Sequence, residues 1–239
     1  MTSADTMAGR IARIQQRIDL ACQRAGRAPG SVALLPVSKT FGVDAIREAM
    51  ALGLRRFGEN KTQEIRQKSA ELAGLGVQWV LIGHLQTNKA KDAARDAHEV
   101  QSLDRIELAE ALHRRLAAEG RVLDVLVQVK TSSEPTKSGL DPAQAPEFLR
   151  RVAGDYPTLK VRGLMTLAEN SPDPLAVRAC FRRLRELRDA LRAADIAGVE
   201  LDRLSMGMSG DFELAIEEGS TEVRIGTAIF GARAYPQGA

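Results

Sequence analysis

The chain has 239 residues, with 34 Lys and Arg against 31 Asp and Glu, a net charge of +3. That length suits one large α/β domain with a substantial core, and the near balance of charge argues against a dedicated nucleic-acid binder, in which a basic face dominates. No apolar run reaches the length of a membrane span, and with aromatic residues at 4% the core is expected to be aliphatic.

The N-terminal MTSADTMAGR has no apolar stretch of the secretory kind, so a cytoplasmic protein is expected. Ile11, Ile14, Ile18 and Ala21 then recur at helical spacing and predict an amphipathic helix within residues 1–26, packed ahead of the first strand. SVALLPVSK (31–39) is a β-branched, apolar run of the strand kind. A helix is predicted from Val43 to Leu52, stopped by Gly53. RRFGEN (55–60) predicts a strand and the following residues a helix to about Ala73. QWVLIG (78–83) predicts a third strand, LQTNKAKDAARDA a helix, and HEVQSL (98–103) a fourth strand. Asp104 and Glu107 have the spacing of a capping box before a helix with Leu108, Leu112 and Leu116 on one face.

The second half repeats the alternation. VLDVLVQVK (122–130) is nearly continuous in apolar residues, as for a strand buried on both faces. Asp141-Pro142 reads as an N-cap and a first helical residue. VRGLMTLA (161–168) predicts the sixth strand. Residues 171–194 predict a helix with Val177, Cys180, Phe181, Leu184, Leu187 and Leu191 on one stripe. RLSMGMS (203–209) predicts the seventh strand, Asp211 to Glu218 a short helix, and EVRIGTAIFG (222–231) the eighth strand and a turn. Eight strands alternating with helices, without a Pro- or Ser-rich linker, predict a single (β/α)8 TIM barrel over residues 1–239. An open doubly wound sheet is the alternative, but no G-x-G-x-x-G follows the first strand.

Several features carry no chemistry. Cys22 and Cys180 lie among apolar helix positions and have no metal-ligand spacing. The arginines between Arg182 and Arg192 alternate with Glu186 and Asp189, the pattern of a solvated helix face. An RNA-contacting face is the other reading. PTKSG (135–139) lacks the glycines of a phosphate-binding Walker loop. His84, His98 and His113 form no cluster, although His84 ends the third strand.

In a barrel of this kind, function gathers where the strands end. Lys39 ends an apolar strand there. A lysine in desolvated surroundings becomes a nucleophilic amine able to form a Schiff base. A snorkelling lysine is the alternative reading of position alone. The loops after strands seven and eight supply Ser209, Gly210, Gly226 and Thr227, with small side chains, hydroxyls and helix-start N–H groups suited to an anion. Strands one and eight are neighbours in a closed barrel, so a phosphate ester bearing a carbonyl would span from those loops to Lys39.

PVSKT (36–40), FGEN with Gln63-Glu64, WVLIGHLQTNK (79–89), TKSG (136–139), GLMTLA (163–168), LSMGMSGDFELAI (204–216) and GSTEVRIGTAIFGAR (219–233) occur in order along nearly the whole chain. With them the sequence resembles the pyridoxal phosphate homeostasis proteins, which look like the N-terminal barrel of alanine racemase standing alone. The resemblance implies pyridoxal 5′-phosphate (PLP) as the cofactor, carried as a Schiff base on Lys39. It implies that Ser209, Gly226 and Thr227 hold the phosphate, that Asn60 lies near the ring, and that Arg224 faces the pyridine nitrogen. It further implies that Ser205 and Met206 line the pocket and that Lys137 is a second lysine near the site. Lys61, Thr62 and Lys130 depart from residues frequent in the family, where Tyr, Val and Asn are common.

An arginine at the pyridine nitrogen disfavours its protonation and weakens the ring as an electron sink. Racemases of this fold use a tyrosine from a second domain as the other base, and the chain ends at Ala239 just after the eighth strand. The two tyrosines are Tyr156 and Tyr235, and Tyr156 falls before strand six, at the wrong end of the barrel. The resemblance therefore implies a monomeric, non-enzymatic carrier in vitamin B6 and amino-acid homeostasis, with apo-enzymes as recipients. The alternative is a weak one-base racemase or a related amino-acid enzyme.

Overall fold

The structure is a computed structural model that describes residues 6–134 and 138–231. Eight parallel strands form one sheet: β1 (Ala33–Pro36), β2 (Arg56–Glu59), β3 (Gln78–Leu81), β4 (Glu99–Leu103), β5 (Leu123–Gln128), β6 (Leu159–Met165), β7 (Val199–Met208) and β8 (Glu222–Ile225). Their order is β1-β8-β7-β6-β5-β4-β3-β2. The two ends of that order meet: Val37 bridges Gly58, and Ser38 N–H donates to the Gly58 carbonyl at 3.0 Å. The sheet therefore closes into the expected barrel just past the end of β1.

Helices α2 (Val43–Ala51), α3 (Thr62–Glu71), α4 (Ala90–Asp96), α5 (Ile106–Ala118), α6 (Ala145–Asp155), α7 (Pro174–Ala193), α8 (Phe212–Glu217) and α9 (Thr227–Phe230) follow the strands in turn, after α1 (Met7–Arg24). Their apolar stripes face the strands; on α5 the buried residues are Leu108, Ala109, Ala111, Leu112 and Leu116. Fully burying a leucine contributes roughly 1.5–3 kcal/mol, so these stripes hold the helices more firmly than propensity does. The layer between strands and helices is mainly aliphatic, with Phe148, Phe181 and Phe212 among the aliphatic side chains and Phe57 and Trp79 as an aromatic pair 6.2 Å apart.

The N-terminal helix is capped by Thr6, whose side chain accepts the Gly9 N–H. It packs on α8 and α9. Arg10 donates to the Ile229 carbonyl at 2.6 Å, and Arg17 stacks over the Phe212 ring at 4.6 Å. This helix thus backs the two short helices that follow β7 and β8.

Two expectations are corrected. The Asp104–Glu107 capping box does not form: Arg105 precedes α5 without a side-chain cap, and the Asp104 carboxylate is taken by Arg105 at 2.6 Å. The core is also not wholly aliphatic. Inside the barrel, Arg56 and Arg203 each bridge Glu99 and Glu222 at 2.8–2.9 Å.

Candidate functional site

The mouth of the barrel holds a cavity of about 510 Å³. Val37 and Lys39 line it from the end of β1, and Asn60, Ile82, Gly83 and His84 from β2 and β3. Strand alternation explains Lys39. Leu35, Val37 and Lys39 share the inward face, while Ser38 between them points outward to the Glu59 carboxylate at 2.6 Å. Gly83 lets its turn pack on the next one: an added Cβ would fall 2.3 Å from the Asn60 carbonyl oxygen. That close approach sets Asn60 at the rim. His84 is half exposed, with Nδ1 3.7 Å from Asp104 Oδ2.

Met208, Ser209, Gly210, Gly226 and Thr227 form the opposite wall. Gly207 makes the turn into α8 possible. Its φ is +95°, and an added Cβ would lie 2.6 Å from Ala215 Cβ. Asp211 closes the loop by accepting the Met208 N–H at 2.5 Å, and burial pushes its carboxyl up from the ordinary range. Gly226 precedes α9, whose first N–H groups have no carbonyl one turn earlier. Strands β1 and β8 pair directly, with Leu35 opposite Arg224 and Pro36 opposite Ile225. Lys39 and the Gly226-Thr227 turn therefore flank one seam.

Arg224 forms the floor and is almost fully buried, with a pKa pushed down to about 10 by burial, against the pull of Glu222 and Asp211. It stays a cation at neutral pH. Nη1 donates to Ser205 Oγ at 2.7 Å and Nη2 to the Thr166 carbonyl at 2.8 Å. Ser205 and Met206 do not line the cavity as expected. Ser205 points inward beneath Arg224, while Met206 is fully buried in the apolar layer. Tyr156 caps the end of α6, before β6, and packs on His113 with ring centres 5.7 Å apart, at the far end of the barrel from Lys39. Lys137 and Tyr235 lie outside the described residues. Lys130 is tied by its N–H to the Leu140 carbonyl and does not line the cavity.

The alanine racemase N-terminal domain family matches residues 10–234. A pyridoxal phosphate homeostasis protein of Pseudomonas aeruginosa is 46% identical over 96% of this chain and 97% of its own. One from Aquifex aeolicus is 44% identical over 95% of this chain and 98% of its own. The chain belongs to the pyridoxal phosphate homeostasis protein family. Among solved structures, PipY of Synechococcus elongatus with PLP bound has 39% sequence identity and a TM-score of 0.79, covering 91% of this chain and 100% of that one.

Sequence reasoning missed several wall residues of this family member. Gln128 ends β5, lines the cavity and donates to the Ser138 carbonyl at 2.9 Å. A polar residue inside a nearly continuous apolar run was the available signal. Leu167 and Met208 lie just past β6 and at the end of β7. Nothing in their residue type separates them from core positions. Among the described residues no group of His, Cys, Asp or Glu is arranged to hold a metal, and no helix is long and apolar enough to cross a membrane.

Proposed function

We propose that the chain holds PLP in the barrel mouth, tethered to Lys39 as a Schiff base, and serves as a reservoir or carrier in intracellular vitamin B6 and amino-acid homeostasis. The observation that carries this reading is the sharing of one cavity by Lys39, Arg224 and the Ser209 and Thr227 hydroxyls. The donor set suits the ligand: an amine for an aldehyde, a buried guanidinium for a ring nitrogen acceptor, and two hydroxyls with turn N–H groups for a phosphate. An added Cβ at Gly210 meets no atom within 4 Å, so the loop leaves room beside Ser209. PLP supplies an aldehyde that condenses with an amine, releasing water, and a ring that can act as an electron sink.

The chain's own residues favour holding over transformation. Arg224 is a donor at neutral pH, so the ring nitrogen facing it is an acceptor and stays unprotonated. That weakens carbanion chemistry. Tyr156 is at the wrong end of the barrel to serve as a second base. The names of the relatives, which describe homeostasis and not a reaction, support the same reading. Asn60 at the rim is assigned to the ring edge.

The deciding measurement is an absorbance spectrum of purified protein given PLP. A visible band removed by borohydride and absent in Lys39→Ala is the expected result. A protein that takes up no PLP overturns the proposal. Lys39-dependent exchange of an amino acid's α-deuterium at an enzymatic rate would favour the enzyme reading over the carrier.

A further inference from the structure

Lys39 sits at the first corner of a tight turn. Phe41 N–H donates to the Ser38 carbonyl at 3.0 Å, which makes residues 38–41 a β-turn. The second corner is Thr40, with φ +69°. A β-branched residue in this left-handed region is strained, at a cost of about 1–3 kcal/mol. Something must hold it there.

Three side chains outside the cavity do so. Lys68 on α3 donates to the Ser38 carbonyl at 3.0 Å, to Glu59 Oε1 at 2.7 Å and to Glu64 Oε2 at 3.1 Å. All three ammonium protons are used. Ser38 Oγ donates to Glu59 Oε1 at 2.6 Å. Glu64 Oε2 accepts the N–H of the strained Thr40 at 2.9 Å. The residues on both sides of Lys39 are therefore anchored from behind, and none of the three anchors lines the mouth.

The arrangement is costly. The Glu59 side chain is 0% exposed and that of Lys68 8%. Glu59 Oε2 is buried with no hydrogen-bond partner, and burial holds the carboxyl above its usual range despite Lys68. Burying two ions costs several kcal/mol each, and an apolar replacement is often no less stable. Stability alone therefore does not account for these groups.

We propose that Glu64, braced by Lys68 and Glu59, is a positioning residue that keeps Thr40 left-handed and so fixes the direction in which Lys39 Nζ enters the mouth. This rests on reading Lys39 as the tether. Glu64 then governs how fast the amine attaches to the aldehyde, and not how tightly the phosphate and ring are bound.

The test compares wild type, Glu64→Ala, Glu64→Gln, Thr40→Gly and the double variant Thr40→Gly/Glu64→Ala as apo-proteins. Two probes are used: PLP, followed by growth of the borohydride-sensitive visible band, and pyridoxine 5′-phosphate, which keeps ring and phosphate but has no aldehyde. Glu64→Ala is expected to slow attachment about tenfold, the scale of one charge-assisted hydrogen bond, with pyridoxine phosphate affinity within about twofold of wild type. Glu64→Gln, which keeps an acceptor for Thr40, falls between. The double variant recovers the rate of Thr40→Gly, because glycine takes a positive φ unaided. Attachment at the wild-type rate in Glu64→Ala, equal loss of both probes, or failure of glycine to rescue each overturns the proposal. A wild-type protein that forms no band sinks the tether reading and this inference with it, whereas a normal wild type with an unaffected Glu64→Ala sinks this inference alone.

Discussion

Arg224 Nη1 donates to Ser205 Oγ at 2.7 Å, and Ser205 Oγ donates in turn to Gln101 Oε1 at 2.7 Å. Gln101 passes the chain on, donating to Glu222 at 2.5 Å and Glu99 at 2.7 Å. The cation at the mouth is thereby wired to the Arg56–Glu99–Arg203–Glu222 cluster at the start of the strands. Every hydroxyl and amide in the chain has a single possible direction, because guanidinium can only donate and carboxylate only accept.

Ser205→Ala cuts this chain next to Arg224. Hydrogen bonds to charged groups contribute about 1.5–3 kcal/mol, and the variant leaves Arg224 with only the Thr166 carbonyl of its two described acceptors. PLP affinity is expected to fall by at least about tenfold, with a shift in the visible band as the donor proposed for the ring nitrogen drifts. Spectrophotometric titration measures both. Unchanged affinity and spectrum would mean that Arg224 does not touch the ring.

The loops after β7 and β8, proposed to hold the phosphate, give a contrast between ligands. Ser209→Ala and Thr227→Val each remove one hydroxyl from the cavity wall. Each should weaken PLP by roughly tenfold, the scale of one hydrogen bond to an anion. Pyridoxal, which has no phosphate, should bind these variants as it binds wild type. Equal weakening of both ligands would place the phosphate elsewhere.

The strand–helix alternation was legible because each apolar run has the period of its element. Lys39 was legible because a lysine that closes such a run can only leave the core at the mouth. Boundaries failed where polarity and structure disagree. The seventh strand reads as 203–209 but spans Val199–Met208, since Glu200 and Asp202 face outward and break the apolar run. The seventh helix starts at Pro174, not 171, because Asp173 caps it by accepting the Leu175 N–H at 2.9 Å. The ion cluster was not legible. Arg56, Glu99 and Glu222 each open a strand, where a charged residue ordinarily faces water, and only closure of the barrel brings them together with Arg203. The turn clamp was hidden for the same reason: Glu64 and Lys68 look like an ordinary i,i+4 pair on an exposed helix face.

Gly207→Ala tests the turn that leads β7 into α8. A side chain at φ +95° is strained, and its Cβ would sit 2.6 Å from Ala215 and 2.9 Å from the Phe212 backbone. Strain of this kind together with overpacking costs about 2–4 kcal/mol. The melting temperature should drop by several degrees, and the Ser209 loop should lose PLP affinity with it. A variant as stable as wild type would mean that α8 moves aside freely.

Glu222 supplies the pH dependence. Burial pushes its carboxyl up, but Arg203 and Arg56 outweigh burial and hold it below its usual 4.5. A depressed folded pKa means the unfolded chain takes the proton first as pH falls. The stabilisation is therefore complete above about pH 4.5 and is lost as pH drops through the folded value. Glu59 runs the other way. Its raised folded pKa means that its contribution falls as pH rises from 4.5 through that value. Glu222→Gln should cost about 3–5 kcal/mol near neutrality, because Arg56 and Arg203 are left to share Glu99 in a buried site. It should also flatten the loss of stability as pH falls below 4.5. Urea unfolding of wild type and variant across that range measures both effects. Parallel curves would mean that Glu222 titrates alike in the folded and unfolded chains, and that the cluster at the base of the barrel does not hold its charge.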